Sequence, residues 1–199
     1  MFNFKKEIAE IKKMAGQSSS SDLKFILSYI KNKYGDKAVD KLINEVEKEI
    51  GKVPDYKKLN EIEWLPSAKI HIFIIMATKI FNWGEKDILS FAYNTISLHK
   101  LNRWFLRYFI STEKLLAHSQ KDHRVHNTQG DFELISCDEK NKKAILRLKG
   151  YINSEIFDIY YKGLYLKLVN LNTNSDNVKI TVSNCPNVKG VCRDFIISW

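Results

Sequence analysis

Four of the five histidines, His99, His118, His123 and His126, fall within 28 residues that also hold Arg103, Arg107, Lys121 and Arg124. Neutral imidazoles ligate zinc or iron, and clustered cations make an anion site, so this stretch has the residue types for either chemistry. The spacing of His118, His123 and His126 matches no zinc-enzyme pattern. The charged residues between them predict a solvated connecting loop, with a metal or anion site as the functional alternative. His71 differs, because it sits in an apolar run from Ile70 to Phe81 that predicts a hydrogen-bonded core histidine.

Cys185 and Cys192 flank PNVKGV, a turn-forming segment able to bring two sulfurs together. Zinc takes four ligands, so two cysteines would need two more, and only Cys137 or a loop histidine is available to supply them. A disulfide is geometrically open. Three cysteines are too few and odd in number for a secreted disulfide framework, and a reducing compartment keeps such residues as thiols. Thiols are therefore expected.

A third set is aromatic: Phe73, Trp83, Phe91, Trp104, Phe105, Tyr108, Phe157, Tyr160 and Tyr161. Aromatic walls with a few polar groups line ligand cavities, and the same residues also pack ordinary cores. Phe73, Trp104, Phe105, Tyr108, Phe157 and Tyr161 are the candidate ligand-binding residues, with a hydrophobic small molecule as the partner they would accept. No phosphate-binding glycine loop, dinucleotide fingerprint, Gly-x-Ser-x-Gly elbow or recognisable pair of catalytic carboxylates occurs, which argues against an enzyme.

The elements that must position these residues follow from periodicity. Phe4, Ile8 and Ile11 mark a peripheral helix, and GQSSSS after it has linker composition. Leu23, Ile26, Leu27 and Ile30 line one face of a second helix, with Tyr34-Gly35-Asp36 as the break before a third that carries Val39, Leu42, Ile43 and Val46. Val53 to Leu65 reads as a loop. Ser67 to Phe81 is apolar on nearly every face, the pattern of a buried central helix. Helices are expected again over Glu85 to about Ser97 and Lys100 to Ile110.

After Gly130 the period changes to two. Asp131 to Cys137 and Lys143 to Leu148 predict a hairpin, Ile152 to Leu171 a helix, and Val178–Val182 with Phe195–Trp199 two further strands around Asn184 to Gly190. Helices grouped before strands, with no βαβ alternation, indicate an α+β fold: an N-terminal helical bundle packed with an antiparallel sheet. Residues 1–20 read as N-terminal helix and linker, and 21–199 as a single α+β domain.

The formal net charge of +9 invites a polyanion or an anionic membrane surface. Lysines are nevertheless spread along the whole chain, which weighs against nucleic acid and leaves peripheral membrane contact open. MFNFKKEIAEIKK lacks the apolar stretch and small-residue site of a secretory signal, so a cytoplasmic location is expected.

Residues from about 25 to 110, in FILSYIKNKYGDKAVDKLINEV, IFIIMATKIFNWGEKDILSFAYNTI and WFLRYF, resemble the N-terminal helices of heme-nitric oxide/oxygen-binding (H-NOX) domains. The second half is similar to vinyl-reductase-type sensor domains of the same superfamily. There the resemblance rests on Tyr161 and Gly163 in a helix and on Cys185, Gly190, Cys192 and Phe195 before the closing Trp199. The resemblance implies a ligand-binding regulatory module, often a homodimer or coupled to a signalling partner, and makes the cysteine hairpin a metal or redox candidate. H-NOX domains hold heme through a histidine on a helix and a Tyr-x-Ser-x-Arg motif. This chain has no such motif, and the corresponding stretch, AILRLKGYINSE, offers Arg147 and Lys149 at other spacings. The expectation is a sensor without heme, its cofactor unassigned, with zinc as the metal the cysteines would take; the alternatives are a ligand-free adaptor and a heme or metal gas sensor.

Overall fold

The structure, a computed structural model, describes residues 2–56, 58–60, 63–95, 111–173, 175, 177–186, 188 and 190–199. Among these, helix α1 (Phe4–Lys12) starts where the Asn3 side chain accepts from the Lys6 N–H at 3.2 Å. Strand β1 (Gln17–Ser19) follows, then α2 (Ser20–Tyr34), α3 (Asp36–Ile50), β2 (Trp64–Pro66), α4 (Ser67–Ile80) and α5 (Glu85–Thr95). The second half holds α6 (Thr112–His126), β3 (Asp131–Asp138), β4 (Lys143–Lys149), α7 (Glu155–Thr173), β5 (Lys179–Asn184) and β6 (Cys192–Ser198). The α+β class expected from the period change is the observed one. No described helix is long and apolar enough to cross a membrane.

Gly35 makes the break between α2 and α3. Its φ of 86° lets its N–H bond Lys31 O at 2.8 Å while the chain turns directly into the next helix. Helix α4 is buried over nearly its whole length, and its internal polar side chains bond backward to its own carbonyls: His71 Nδ1 to Ser67 O and Thr78 Oγ1 to Ile74 O, each at 2.8 Å.

The main sheet is antiparallel throughout, in the order β3-β4-β6-β5. Its inner face contributes Phe132, Leu146, Leu148, Phe195 and Ile197 to the same core as the helices. The outer face carries the Arg147–Asp194 pair, directly cross-strand, with both carboxylate oxygens accepting from the guanidinium at 2.7 and 2.8 Å. Helix α7 lies on the inner face, and α5 crosses it at Gly163.

Three expectations change. The GQSSSS segment is not a linker: Gln17–Ser19 pairs antiparallel with Trp64–Pro66, a strand inside the stretch expected to be loop, and Ser18 is fully buried. Ser18 Oγ donates to Asn127 Oδ1 at 2.6 Å and bonds Ser67 Oγ at 2.8 Å, so the polar run satisfies a buried junction instead of solvent. Residues 118–126 are not a loop either. Ser111 caps α6 by accepting from Lys114 N–H at 3.2 Å, and the charged residues that suggested solvation lie on a helix, where such residues have ample propensity. The expected helix at Lys100–Ile110 lies outside the described residues.

Candidate ligand site in the core

The central feature is a hydrogen-bonded thread from α4 to α7. His71 is 6% exposed, and burial pushes its pKa down to about 4, so the ring is neutral. Its Nδ1 faces the Ser67 carbonyl, which can only accept, so Nδ1 carries the proton and Nε2 must accept. Tyr151 Oη, 2.6 Å from Nε2, is therefore the donor. Tyr151 also bonds the Tyr161 hydroxyl, and with its own proton committed to His71 it receives the proton of Tyr161. The order Tyr161 to Tyr151 to His71 to Ser67 follows from what each group can donate. Burial holds both phenols well above the usual tyrosine pKa, which keeps these donors protonated.

Backbone geometry places Tyr151. It follows Gly150, whose φ is 64° and whose N–H bonds Val191 O at 2.9 Å. Gly130 packs against its ring: a Cβ there would lie 2.9 Å from Tyr151 Cδ2. Aromatic rings surround the thread. Phe157 lies 5.2 Å from His71 and 6.1 Å from Tyr151 between centroids, and Tyr161 stacks on Tyr165 at 5.9 Å. Tyr165 in turn meets Phe195 at 4.9 Å and Phe132 at 5.4 Å.

Asp22, in the first turn of α2, lies close enough to raise the pKa of Tyr151, Tyr160 and Tyr161. Burial lifts its own pKa to about 6, opposed by the charge of His126.

Of the ligand-binding candidates, Phe157 and Tyr161 line the thread, and Phe73 is fully buried in α4 within the same core. Trp104, Phe105 and Tyr108 lie outside the described residues. The sequence reading gave Tyr151 and Tyr165 no place in the site. Tyr165 had a signal, since it follows Tyr161 by four residues on one helix face; Tyr151 sits between Gly150 and Ile152 with no periodic partner. His71 is the hydrogen-bonded core histidine that its apolar surroundings predicted.

The metal candidates do not converge as sets. His118, His123 and His126 are spread along α6; His118 and His126 are exposed, while His123 Nε2 bonds Gln129 O at 3.0 Å. Cys185 and Cys192 are joined as a disulfide, with Cα atoms 5.4 Å apart, which corrects the expectation of thiols. The turn between β5 and β6 produces this pairing, closed by Cys185 N–H to Cys192 O at 3.3 Å. Cys137 is not near them. From β3 it pairs with Ala144 of β4, at the other end of the strands, while Cys192 pairs with Lys149. Among the described residues the group with metal-ligand proximity is Cys185, Cys192 and Asp194, whose ligand atoms lie within 4.8 Å of one another.

This arrangement of helices, four-stranded sheet and enclosed α7 matches solved structures. The crystal structure of the Fe(II) unliganded H-NOX protein from K. algicida superposes with a TM-score of 0.66 at 14% identity, covering 90% of this chain and 95% of that one. The chain has the H-NOX fold. The H-NOX protein from S. oneidensis in the Fe(II)NO state gives a TM-score of 0.60 at 10% identity over 90% and 98% of the two chains. A mutant structure of T. Tengcongensis H-NOX gives 0.59 at 12% identity over 90% and 96%. No family model and no curated protein matches the chain.

The H-NOX fold implies heme, and the stretch corresponding to its propionate-binding motif tests the fit. Arg147 is committed to Asp194 on the outer face of the sheet, and Lys149 bonds Glu133 at 2.8 Å. Toward the core the same stretch presents Tyr151, whose proton belongs to His71, and Ser154, which bonds the Glu7 carboxylate. Glu7 is 4% exposed and also accepts from Glu155 N–H at 3.2 Å. A propionate there would meet like charge in a low-dielectric setting. Among the described residues this stretch supplies no free cation to a propionate; His99, Arg103 and Arg107 lie outside the described residues.

Proposed function

We propose that the chain is a sensory domain that takes a small, mainly apolar molecule between its helices and sheet, without heme, and passes the binding event to a second copy or a signalling partner. The observation that carries this reading is the Tyr161–Tyr151–His71 thread, because it ties α4 to α7 through a core that is otherwise aromatic. A molecule competing for these hydroxyls changes how the two helices sit against each other. Such a change needs the ligand to bind the two arrangements with different affinity. The solved neighbours, named as H-NOX proteins in Fe(II) and Fe(II)NO states, support a sensor at the level of fold, and function itself resides in the site. We place the protein in the cytoplasm and assign it no catalytic step.

The test is native mass spectrometry of freshly purified protein, with a visible spectrum and metal analysis on the same sample. A bound neutral small molecule without a Soret band supports the reading, and stoichiometric heme overturns it. Tyr161→Ala then separates site from scaffold: ligand affinity falls more than folding stability, whereas equal losses leave Tyr161 as a packing residue.

One observation favours a second reading, an adaptor. The outer sheet face exposes Ile135 and Ile196, at 40% and 41%, beside charged Lys149 and Glu133. Partner capture that weakens steeply with salt, from protein that carries no small molecule, would favour it.

A further inference from the structure

One buried polar atom in the core has no role in the thread. Tyr165 is 3% exposed, and among the described residues its Oη has no hydrogen-bond partner. Its ring is held by Tyr161 on its own helix, by Phe195 on β6 and by Phe132 on β3. Phenylalanine would fill the same volume and keep the same ring contacts. Leaving a hydroxyl unsatisfied in such a place shifts a folding equilibrium by roughly five- to a hundredfold toward the unfolded chain. Packing alone therefore does not account for a tyrosine here. The neighbouring hydroxyls are different, since Tyr151 and Tyr161 spend their protons within the thread.

Resting on the interior site proposed above, we infer that Tyr165 reads the ligand, and that the ligand is a neutral molecule with an apolar body and one hydrogen-bond acceptor, of the ketone, ester or ether class. A phenol offers one proton, and this one has no acceptor among the described residues, so the complementary group is an acceptor. The phenol remains a donor because burial keeps its pKa well above the ordinary tyrosine value. Neutrality follows from the surroundings: the rings that pack on Tyr165 carry no charge, and an ion placed among them would be desolvated without compensation. A hydrocarbon ligand would leave the hydroxyl unsatisfied.

The experiment uses the full chain, wild type and Tyr165→Phe. Its probes are matched cyclic ketones and their methylene analogues, from cyclohexanone with methylenecyclohexane to cyclododecanone with methylenecyclododecane, titrated by ligand-observed NMR. For the ring size that fits, wild type should prefer the ketone about tenfold, the worth of one buried hydrogen bond. Tyr165→Phe should abolish that preference and leave the hydrocarbon within about twofold. Ketone binding unchanged in Tyr165→Phe overturns the role of Tyr165 while leaving the interior site standing. Failure of every probe to bind wild type overturns the interior site itself. Urea unfolding of the ligand-free proteins supplies the last arm. An unchanged or more stable variant agrees with an unsatisfied hydroxyl, and a rise of more than about tenfold in the unfolding constant means that a trapped water already satisfies it, which overturns the inference.

Discussion

Tyr151 and Tyr161 look interchangeable in composition, yet the direction of their hydrogen bonds makes them unequal. Replacing Tyr151 by Phe removes the one donor to His71 Nε2 among the described residues and leaves that buried nitrogen unsatisfied, at a cost of about 1–3 kcal/mol. Replacing Tyr161 by Phe removes a donor to Tyr151 but leaves the Tyr151–His71 bond intact, at a cost of about 0.5–1.5 kcal/mol. Urea denaturation at pH 7 should rank the two in that order. The reverse order would mean that the protons run the other way along the thread. Legibility at this scale was partial. His71 could be read because a lone polar residue in an apolar helix must find a partner. Its partner could not, since Tyr151 lies 80 residues away in a turn whose conformation rests on Gly130 and Gly150.

Helix contacts carry the next level. Gly163 sits where α7 crosses α5, and a Cβ there would fall 2.6 Å from Ala92 Cβ and 2.7 Å from Leu89 O. Backbone cannot yield as a side chain can. Gly163→Ala should therefore destabilise by about 1–3 kcal/mol through forced separation of the helices, although alanine is favoured over glycine in an isolated helix by about 1 kcal/mol. Chemical denaturation measures this, and Ala92→Gly in the same chain should restore only part of the loss, because the Leu89 carbonyl remains. The helices and strands were largely readable from period. What escaped were the short strands β1 and β2, three residues each, whose sequence carries no alternation long enough to register. The role of α1 was also hidden. It looks peripheral by sequence, yet Glu7 reaches the N-terminus of α7 and accepts from Ser154 and from the Glu155 N–H.

Across the whole molecule, Asp22 and His71 oppose each other in acid. Asp22 has a folded pKa raised from 3.8 to about 6, so it favours the fold below pH 4 and that contribution is lost as pH rises through 6. His71 has a folded pKa depressed from 6.5 to about 4, so it withdraws stability as pH falls through that window, by up to about 3 kcal/mol. Their slopes have opposite sign between pH 4 and 6. Asp22→Asn removes one of them: the stability of the variant minus that of wild type should rise by about 1 kcal/mol from pH 4 to pH 6, a small figure because Asp22 is only half-buried and His126 opposes its shift. Urea unfolding at pH 4, 5, 6 and 7 reads this directly, and a flat difference would show that Asp22 titrates as it does in the unfolded chain.

By itself the sequence determined the α+β class, the central buried helix, the hairpins, the break at Gly35 and the core character of His71. Each of these depends on periodicity or on a residue whose backbone freedom or polarity acts locally. Tertiary structure decided the rest: the disulfide between Cys185 and Cys192, the pairing of a serine run into a buried strand, and the thread from α7 to α4. Ser18 meets Asn127 across 109 residues, and Glu7 meets Ser154 across 147. Contacts at such separation are set by how elements pack, and packing is decided by the summed burial of many side chains, so no local spacing announces which two polar groups will face each other in the core.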